Sequence, residues 1–391
     1  MSCIKQGKPT ANPLYRPDVR QVTPEMRSPD FVQISTAAAI TLGLMPGVMY
    51  RDACTHCLNL LLTYPEGCRA NCSYCGLARH REENRDYADR NFIRVDWPSV
   101  SLADLLDCMQ AATDQGRIER MCISMITHPR SNRDTVDILK AWVARVPDIP
   151  VSILSNPTTM TYHDLVELNE CGAEIFTVAL DAATEEIFER TRGRTVDSPH
   201  RWSHYWQALE WAAEIFGPER FGAHVICGMG ESEYECLQVV QRIRDMGGHS
   251  HMFAFFPEQG SLMQDWSAVP QGQWRRVQLA RFLIDFRDVR LEQMRFDAQG
   301  RVREFGVSSQ VLEALITSGK PFQTSGCPSK GDVEISSCNR PFGDSPPSNI
   351  RSYPFRPNDS DVKKIRIQAE VLRVATSTET HCETTDFPVD E

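Results

Sequence analysis

The sequence predicts an α/β chain built as a TIM-type (β/α) barrel, full or nearly full, with an irregular N-terminal lead-in and a Pro/Gly-rich C-terminal strap. Two observations carry the prediction. From residue 58 to residue 286, short apolar runs alternate with stretches whose apolar residues return every three or four positions. Strands alternating with helices form parallel βαβ units with right-handed crossovers, and such units curl a sheet toward closure. The second observation is that this rhythm stops at Ser325, beyond which prolines gather and periodicity is lost.

The elements follow in order. Residues 1–35 read as a lead-in broken by Pro9, Pro13, Pro17, Pro24 and Pro29, and Ser35–Leu44 as a short Ser-capped helix. Leu58–Tyr64 reads as a buried strand, the cysteine-bearing loop follows, and Arg79–Arg90 is a charged, exposed segment. Strands are then expected at 120–127, 150–155, 174–181, 221–229 and 251–256. Helices are expected at 102–115, 134–145, 162–171, 184–191, 200–215 and 233–246, and a strongly amphipathic one at 271–286. Weaker seventh and eighth units are read at 294–305 and 311–323. The chain divides into an N-terminal extension (1–50), the barrel (51–325), a cysteine strap (326–357) and a tail (358–391) read as mobile.

Composition narrows the function. A chain of 391 residues with 41% apolar content supplies a large core. A net charge of −10 argues against a nucleic-acid surface, which needs a basic stripe. No stretch approaches the ~20 apolar residues that span a bilayer, so no membrane partner is expected. The polar opening lacks the apolar run of a secretory signal, and fourteen cysteines are too sparse for a stapled secreted domain. A reducing cytoplasm is the expected location.

The chemistry centres on Gly67-Cys68-Arg69-Ala70-Asn71-Cys72-Ser73-Tyr74-Cys75-Gly76. Three cysteines spaced C-x3-C-x2-C turn three thiolates toward one point. Four thiolates close a metal site, whereas three leave one iron of an iron–sulfur cluster open to an outside ligand. Reading Cys54, Cys57, Cys72 and Cys75 as a zinc site instead would orphan Cys68 and cut the metal loop with an apolar strand. The cysteine loop after a first strand, with an aromatic before the third cysteine, resembles the radical S-adenosylmethionine (SAM) superfamily. That resemblance implies a 4Fe–4S cluster on Cys68, Cys72 and Cys75, SAM on the open iron, and a 5′-deoxyadenosyl radical made by an electron from the cluster.

Barrel chemistry lies at the C-terminal ends of the strands. Ser124–His128 stands where the family grips the SAM amino group, without the Gly-Gly-Glu motif often found there, and Thr127 is the candidate; His128 is read as a loop residue. Ser155 and Asn156 offer small polar groups to a ribose or carboxylate. Asp181 either caps the next helix or accepts from ribose hydroxyls, and Arg192 either pairs with the SAM carboxylate or ends a helix in solvent. Gly228 and Glu231, in His224–Glu231, resemble the family's G-x-I-x-G-x-x-E pattern, where glycine admits the adenine. Tyr74 belongs with these candidates. Phe253, Phe255 and Phe256 either wall the adenine or pack the core.

A second set of grouped cysteines is Cys54, Cys57, Cys327 and Cys338. First and last elements of a barrel are neighbours, so the two pairs can meet and hold a second, auxiliary 4Fe–4S cluster. The other cysteines, Cys122, Cys227 and Cys236 among them, read as buried thiols. The arrangement resembles the biotin-synthase-related branch of radical SAM proteins. Cys57–Tyr64, Gly67–Arg79, Leu180–Thr184, Thr324–Pro328 and Cys338–Pro341 resemble the archaeal-type two-component lipoyl synthases, over roughly residues 40–357. The polar insertion Ser329–Ser337 separates the strap cysteines more widely than that pattern leads one to expect. The resemblance implies sulfur insertion into a C–H bond of an octanoyl chain on a lipoyl-carrier domain. It implies as partners a second radical SAM component and an electron donor such as ferredoxin or flavodoxin. Two alternatives stand beside it: another radical SAM reaction such as a carbon-skeleton rearrangement, and a non-catalytic metal-binding protein.

Overall fold

The apolar runs lie side by side as the alternation predicts. In a computed structural model, which describes residues 26–81, 95–113, 117–329 and 331–369, eight strands form one sheet. They are β1 (Phe31–Ile34), β2 (Cys57–Leu62), β3 (Ser99–Ser101), β4 (Arg120–Ser124), β5 (Val151–Ser155), β6 (Ala173–Asp181), β7 (Phe221–Cys227) and β8 (His249–Ala254). Their spatial order is β3-β1-β2-β4-β5-β6-β7-β8, and β2 with β4 to β8 are parallel. The intervening helices are α1 (Thr36–Thr41), α2 (Leu102–Thr113), α3 (Ser131–Arg145), α4 (Tyr162–Glu170), α5 (Glu185–Thr191), α6 (Trp202–Phe216), α7 (Glu233–Asp245) and α8 (Gln271–Phe286). This is the α/β, TIM-type architecture.

Register sorts the two faces of the sheet. Residues opposite one another in parallel strands share a face. Leu58, Leu60, Ile123, Ile153, Val178, Ala223 and Val225 lie on one face, which is buried and mostly apolar. The other face carries Cys57, Asn59, Arg120, Cys122, Ser152, Thr177, His224 and His251. That second, polar face lines the barrel lumen.

Several expectations give way. Residues 294–305 form not a barrel unit but a separate hairpin of β9 (Arg295–Phe296) and β10 (Val302–Glu304). Its turn is local: Asp297 Oδ1 accepts from the N–H groups of Gln299 and Arg301, and Gly300 takes a positive φ of 72°. The eighth unit is a helix, α9 (Ser309–Ser318), followed by a single 3-10 turn at Lys320–Phe322. Antiparallel β1 and β3 extend the sheet at one edge, so the lead-in ends in a strand. At the β8 edge, Ser325 Oγ bonds to both the N–H and the carbonyl of Met252 and begins the strap there.

The tail expectation is also corrected in part. Residues 359–369 form α10 (Asp359–Ala369), capped by Asn358, whose Oδ1 accepts from Asp361 N at 3.0 Å. Arg51 bonds to Asp361 at 2.7 Å and Arg275 to Gln368 at 2.9 Å, docking α10 on α8. Residues 370–391 and 82–94 lie outside the described residues. Helix α8 is not amphipathic but buried on all sides from Trp274 to Asp285, because strap and α10 cover its outer face. Its arginines are paired inside, Arg276 bidentately with Glu233.

Candidate active site in the barrel lumen

Past β2 the chain turns at Gly67 and lays the cysteine loop across the C-terminal ends of the strands. Four other segments hold it. Arg69 N donates to Thr127 O at 2.8 Å, Ser73 N to Thr191 O at 2.7 Å, and Asn71 Nδ2 to Val196 O at 2.8 Å. Met263 N in turn donates to Ser73 O at 3.0 Å. Cys72 is buried, and Cys68 and Cys75 are half-buried. Burial drives the Cys72 thiol up to about 12, Arg192 opposing and Cys68 adding to the rise. Burial also raises Cys75, with the charges of Cys72 and Cys68 acting the same way. Three soft donors share one space in which burial disfavours each bare thiolate and Arg192 only partly offsets it. That donor set fits an iron–sulfur cluster, whose irons supply the charge.

Beside the loop lies a buried polar network. Asp181 ends β6 in the left-handed region (φ 62°), where Asp is better tolerated than most residues. Its Oδ2 accepts from Tyr74 Oη at 2.6 Å and from Arg192 Nη1 at 2.6 Å. Arg192 is 1% exposed, donates also to Ala179 O, and reaches Asn156 Oδ1 at 2.8 Å and Tyr205 Oη at 3.2 Å through Nη2. Tyr74, Asn156, Asp181 and Arg192 are therefore one connected set. The capping reading of Asp181 does not hold, because Thr184 caps α5 by accepting from Ile187 N. Nor is Arg192 solvated.

The other candidates stand apart from that network. Thr127 borders Cys68. Ser155 is fully buried and turns its hydroxyl to Thr177 O at 3.1 Å. Glu231 accepts from the N–H groups of Gly228 and Met229, folding the turn after β7, while Ser232 rather than Glu231 caps α7. Phe253 is half-buried on the lumen face and Phe255 is buried in the core. His128 is buried and stacks on Tyr64 at 3.8 Å.

A second group of thiols gathers where β2 and β4 begin. Cys57 donates a hydrogen bond to Cys338, which brings Cys338 down to about 6, aided by Arg340 and Asn59. Cys57 itself is pushed up by that bond, by burial, and by the charges of Cys338, Cys122 and Cys327. Cys122 rises through burial and then through Cys338 and Cys327. Asn59 Nδ2 lies 3.4 Å from Cys338 Sγ. The insertion 329–337 folds back on itself through the Pro328–Ser336 bridge, and Ser337 N donates to Cys327 O at 3.0 Å. This brings the two strap cysteines near enough for the charge of Cys338 to add to the rise that burial gives the Cys327 thiol, despite their separation in sequence.

Cys54 is not in this group; it is disulfide-bonded, with Sγ 3.8 Å from His56 Nε2. Cys122 stands in the group instead. Sequence reasoning passed over it as a single cysteine in an apolar strand. Its signal was the alternation of Arg120, Cys122 and Ser124 against Met121 and Ile123, which puts Cys122 on the polar face.

Between the two thiol groups the lumen face carries half-buried Leu154, Ile226 and Phe253. Below them His224 and His251 stand 5.2 Å apart. Burial, then Arg340, holds His224 down at about 3, and burial, then His224, holds His251 well below its ordinary value. Both imidazoles are neutral at physiological pH.

Among the described residues no helix is long and apolar enough to cross a membrane. No curated protein matches the chain. A crystal structure of methylornithine synthase (PylB) is similar at 14% identity and a TM-score of 0.41, over 59% of this chain and 60% of that one. The FeFe-hydrogenase maturase HydG from Carboxydothermus hydrogenoformans is similar at 18% identity and a TM-score of 0.46, over 59% of this chain and 51% of that one. The chain thus spans less than two thirds of either. Residues 62–243, a stretch that holds the cysteine loop and strands β4 to β7, match the family described as the Radical SAM superfamily.

Proposed function

We propose that this protein inserts sulfur into an unactivated C–H bond, as a lipoyl-synthase-like component acting on an octanoyl chain carried by a lipoyl-carrier domain. The observation that carries the reading is the second thiol group, Cys57, Cys122, Cys327 and Cys338, gathered on the lumen face below the cysteine loop. When bound, the loop cluster and SAM supply a hydrogen-abstracting 5′-deoxyadenosyl radical, and a cluster on the second group supplies sulfide.

The chain's own residues do the rest. Cys68, Cys72 and Cys75 hold the first cluster. Asp181, Asn156 and Arg192 offer fixed polar atoms beside it, already oriented by Tyr74 and Tyr205. Leu154, Ile226 and Phe253 form an apolar belt that suits an alkyl chain between radical and sulfur source. The covered lumen keeps water from a carbon radical. A second radical SAM component and a ferredoxin- or flavodoxin-type donor complete the proposal.

A second reading, a rearrangement of a small polar substrate, is favoured by His224, His251 and Arg340, which are more polar than an alkyl chain requires. Iron and acid-labile sulfide after anaerobic reconstitution decide between them. Sulfur insertion requires about eight irons per chain, falling to about four when Cys68, Cys72 and Cys75 become alanine. In the Cys327→Ala/Cys338→Ala protein, SAM cleavage should persist while sulfur transfer is lost. Sulfur transfer retained in that protein would refute the proposal, and a single cluster in the wild type would favour the second reading.

A further inference from the structure

We infer a third metal site, for a single zinc-class divalent cation, formed by Cys227, Glu231 and Cys236 behind the sheet. Cys227 is the last residue of β7, Cys236 lies in the first turn and a half of α7, and Glu231 sits on the turn between them. Cys227 Sγ, Cys236 Sγ and a Glu231 carboxylate oxygen all lie within 4.8 Å of one another, and all three residues are buried. Two thiolates and a carboxylate are the donor types of a zinc site, and three donors at this spacing leave one coordination position to fill. A fourth donor is at hand. Gln273 of α8 has its amide 3.9 Å from Cys227 Sγ and 3.5 Å from Glu231 O. Turning that amide over, which exchanges two nearly identical groups, presents its carbonyl oxygen.

Charge supplies an independent reason. Glu231 is 6% exposed, and among the described residues no lysine or arginine forms an ion pair with it. Its carboxylate is held by the N–H groups of Gly228 and Met229 and by Cys227. A buried carboxylate without a cation is costly, and two buried thiols beside it add no positive charge. A hydrogen bond from Cys227 pulls Cys236 down, but burial and the acidic charges of Glu231, Glu233 and Glu235 together push it up. A divalent cation would displace one proton from each thiol to solvent and give the Glu231 carboxylate a positive partner, the whole set keeping a single negative charge. It would also clamp the Gly228–Glu231 turn that stands at the lumen mouth.

The inference does not depend on the proposed reaction, and its test counts a different metal. The iron–sulfur-reconstituted full chain is incubated with zinc and washed with chelator, and zinc and iron are measured together. Wild type should hold about one zinc per chain, and Cys227→Ser and Cys236→Ser should each lose it with iron unchanged. Zinc unchanged in folded variants, or absent from the wild type, overturns the site and leaves two ordinary core thiols. If both variants fail to fold, cobalt(II) is titrated into the Cys327→Ala/Cys338→Ala protein after cluster reconstitution. A thiolate-to-cobalt absorption band that zinc abolishes supports the site, and its absence overturns it.

Discussion

Asp181 shows how much one residue holds. It accepts the Tyr74 hydroxyl from the cysteine loop and the guanidinium of Arg192 from the end of α5, so loop and barrel mouth are tied through one carboxylate. Arg192 is desolvated, and removing its charge partner leaves a buried cation short of compensation. Asp181→Ala is therefore expected to cost about 3 kcal/mol or more in unfolding free energy, measured by denaturant titration. Tyr74→Phe, which removes one neutral donor, should cost about 1 kcal/mol. Equal losses in the two variants would contradict this account. The same residue marks a limit of sequence reading. That Asp181 belonged to the mouth was legible from its place after a strand. Its partners were not, since Tyr74 and Arg192 lie 107 and 11 residues away along the chain.

Among the elements, the strap owes its order to charge as much as to apolar contact. Glu334 is bonded to Arg287 at the end of α8 at 2.5 Å and to Lys320 after α9 at 2.6 Å. The bond from Arg287 holds the Glu334 carboxyl below its ordinary value, Lys320 adding to this and burial opposing it. A carboxyl depressed in the folded state stabilises above the unfolded value of ~4.3, and the contribution is lost as pH falls through the folded value. The wild type should therefore melt above Glu334→Gln near neutral pH by an amount worth about 1 kcal/mol. The gap should close below about pH 4 in thermal melts across acid pH. A gap independent of pH would remove the ion pairs as its cause. Helix α8 shows a related failure of pattern: its arginines announce an exposed face, yet Arg276 with Glu233 and Arg281 with Asp285 bring their charges inside in pairs.

At the scale of the molecule, the strap is what makes the second thiol group. Cys57 and Cys122 belong to the sheet, Cys327 and Cys338 to the strap, and the group exists only where the strap crosses the lumen. Asn339 is the pin: it accepts from His56 N at 2.9 Å and donates to Cys54 O at 2.8 Å and Pro354 O at 3.2 Å. On the proposed function, Asn339→Ala is expected to lose about half of the reconstituted iron, the share of the proposed second cluster, with SAM cleavage retained. Full iron content in that variant would show that the strap needs no such pin.

The sequence by itself determined the α/β barrel class, the alternation of helices and parallel strands from residue 102 to residue 286, and the position of the cysteine loop after a strand. Those features are local: an apolar period of two or three to four residues, and three thiols within eight positions. Tertiary structure alone decided where the edges of the sheet lie, because a two-residue strand and a tight Asp297–Gly300 turn cannot supply a barrel unit. It alone replaced Cys54 by Cys122 in the second thiol group. Two residues reach one point across the chain only when strand register and strap path are both set, and no spacing along the sequence encodes that distance.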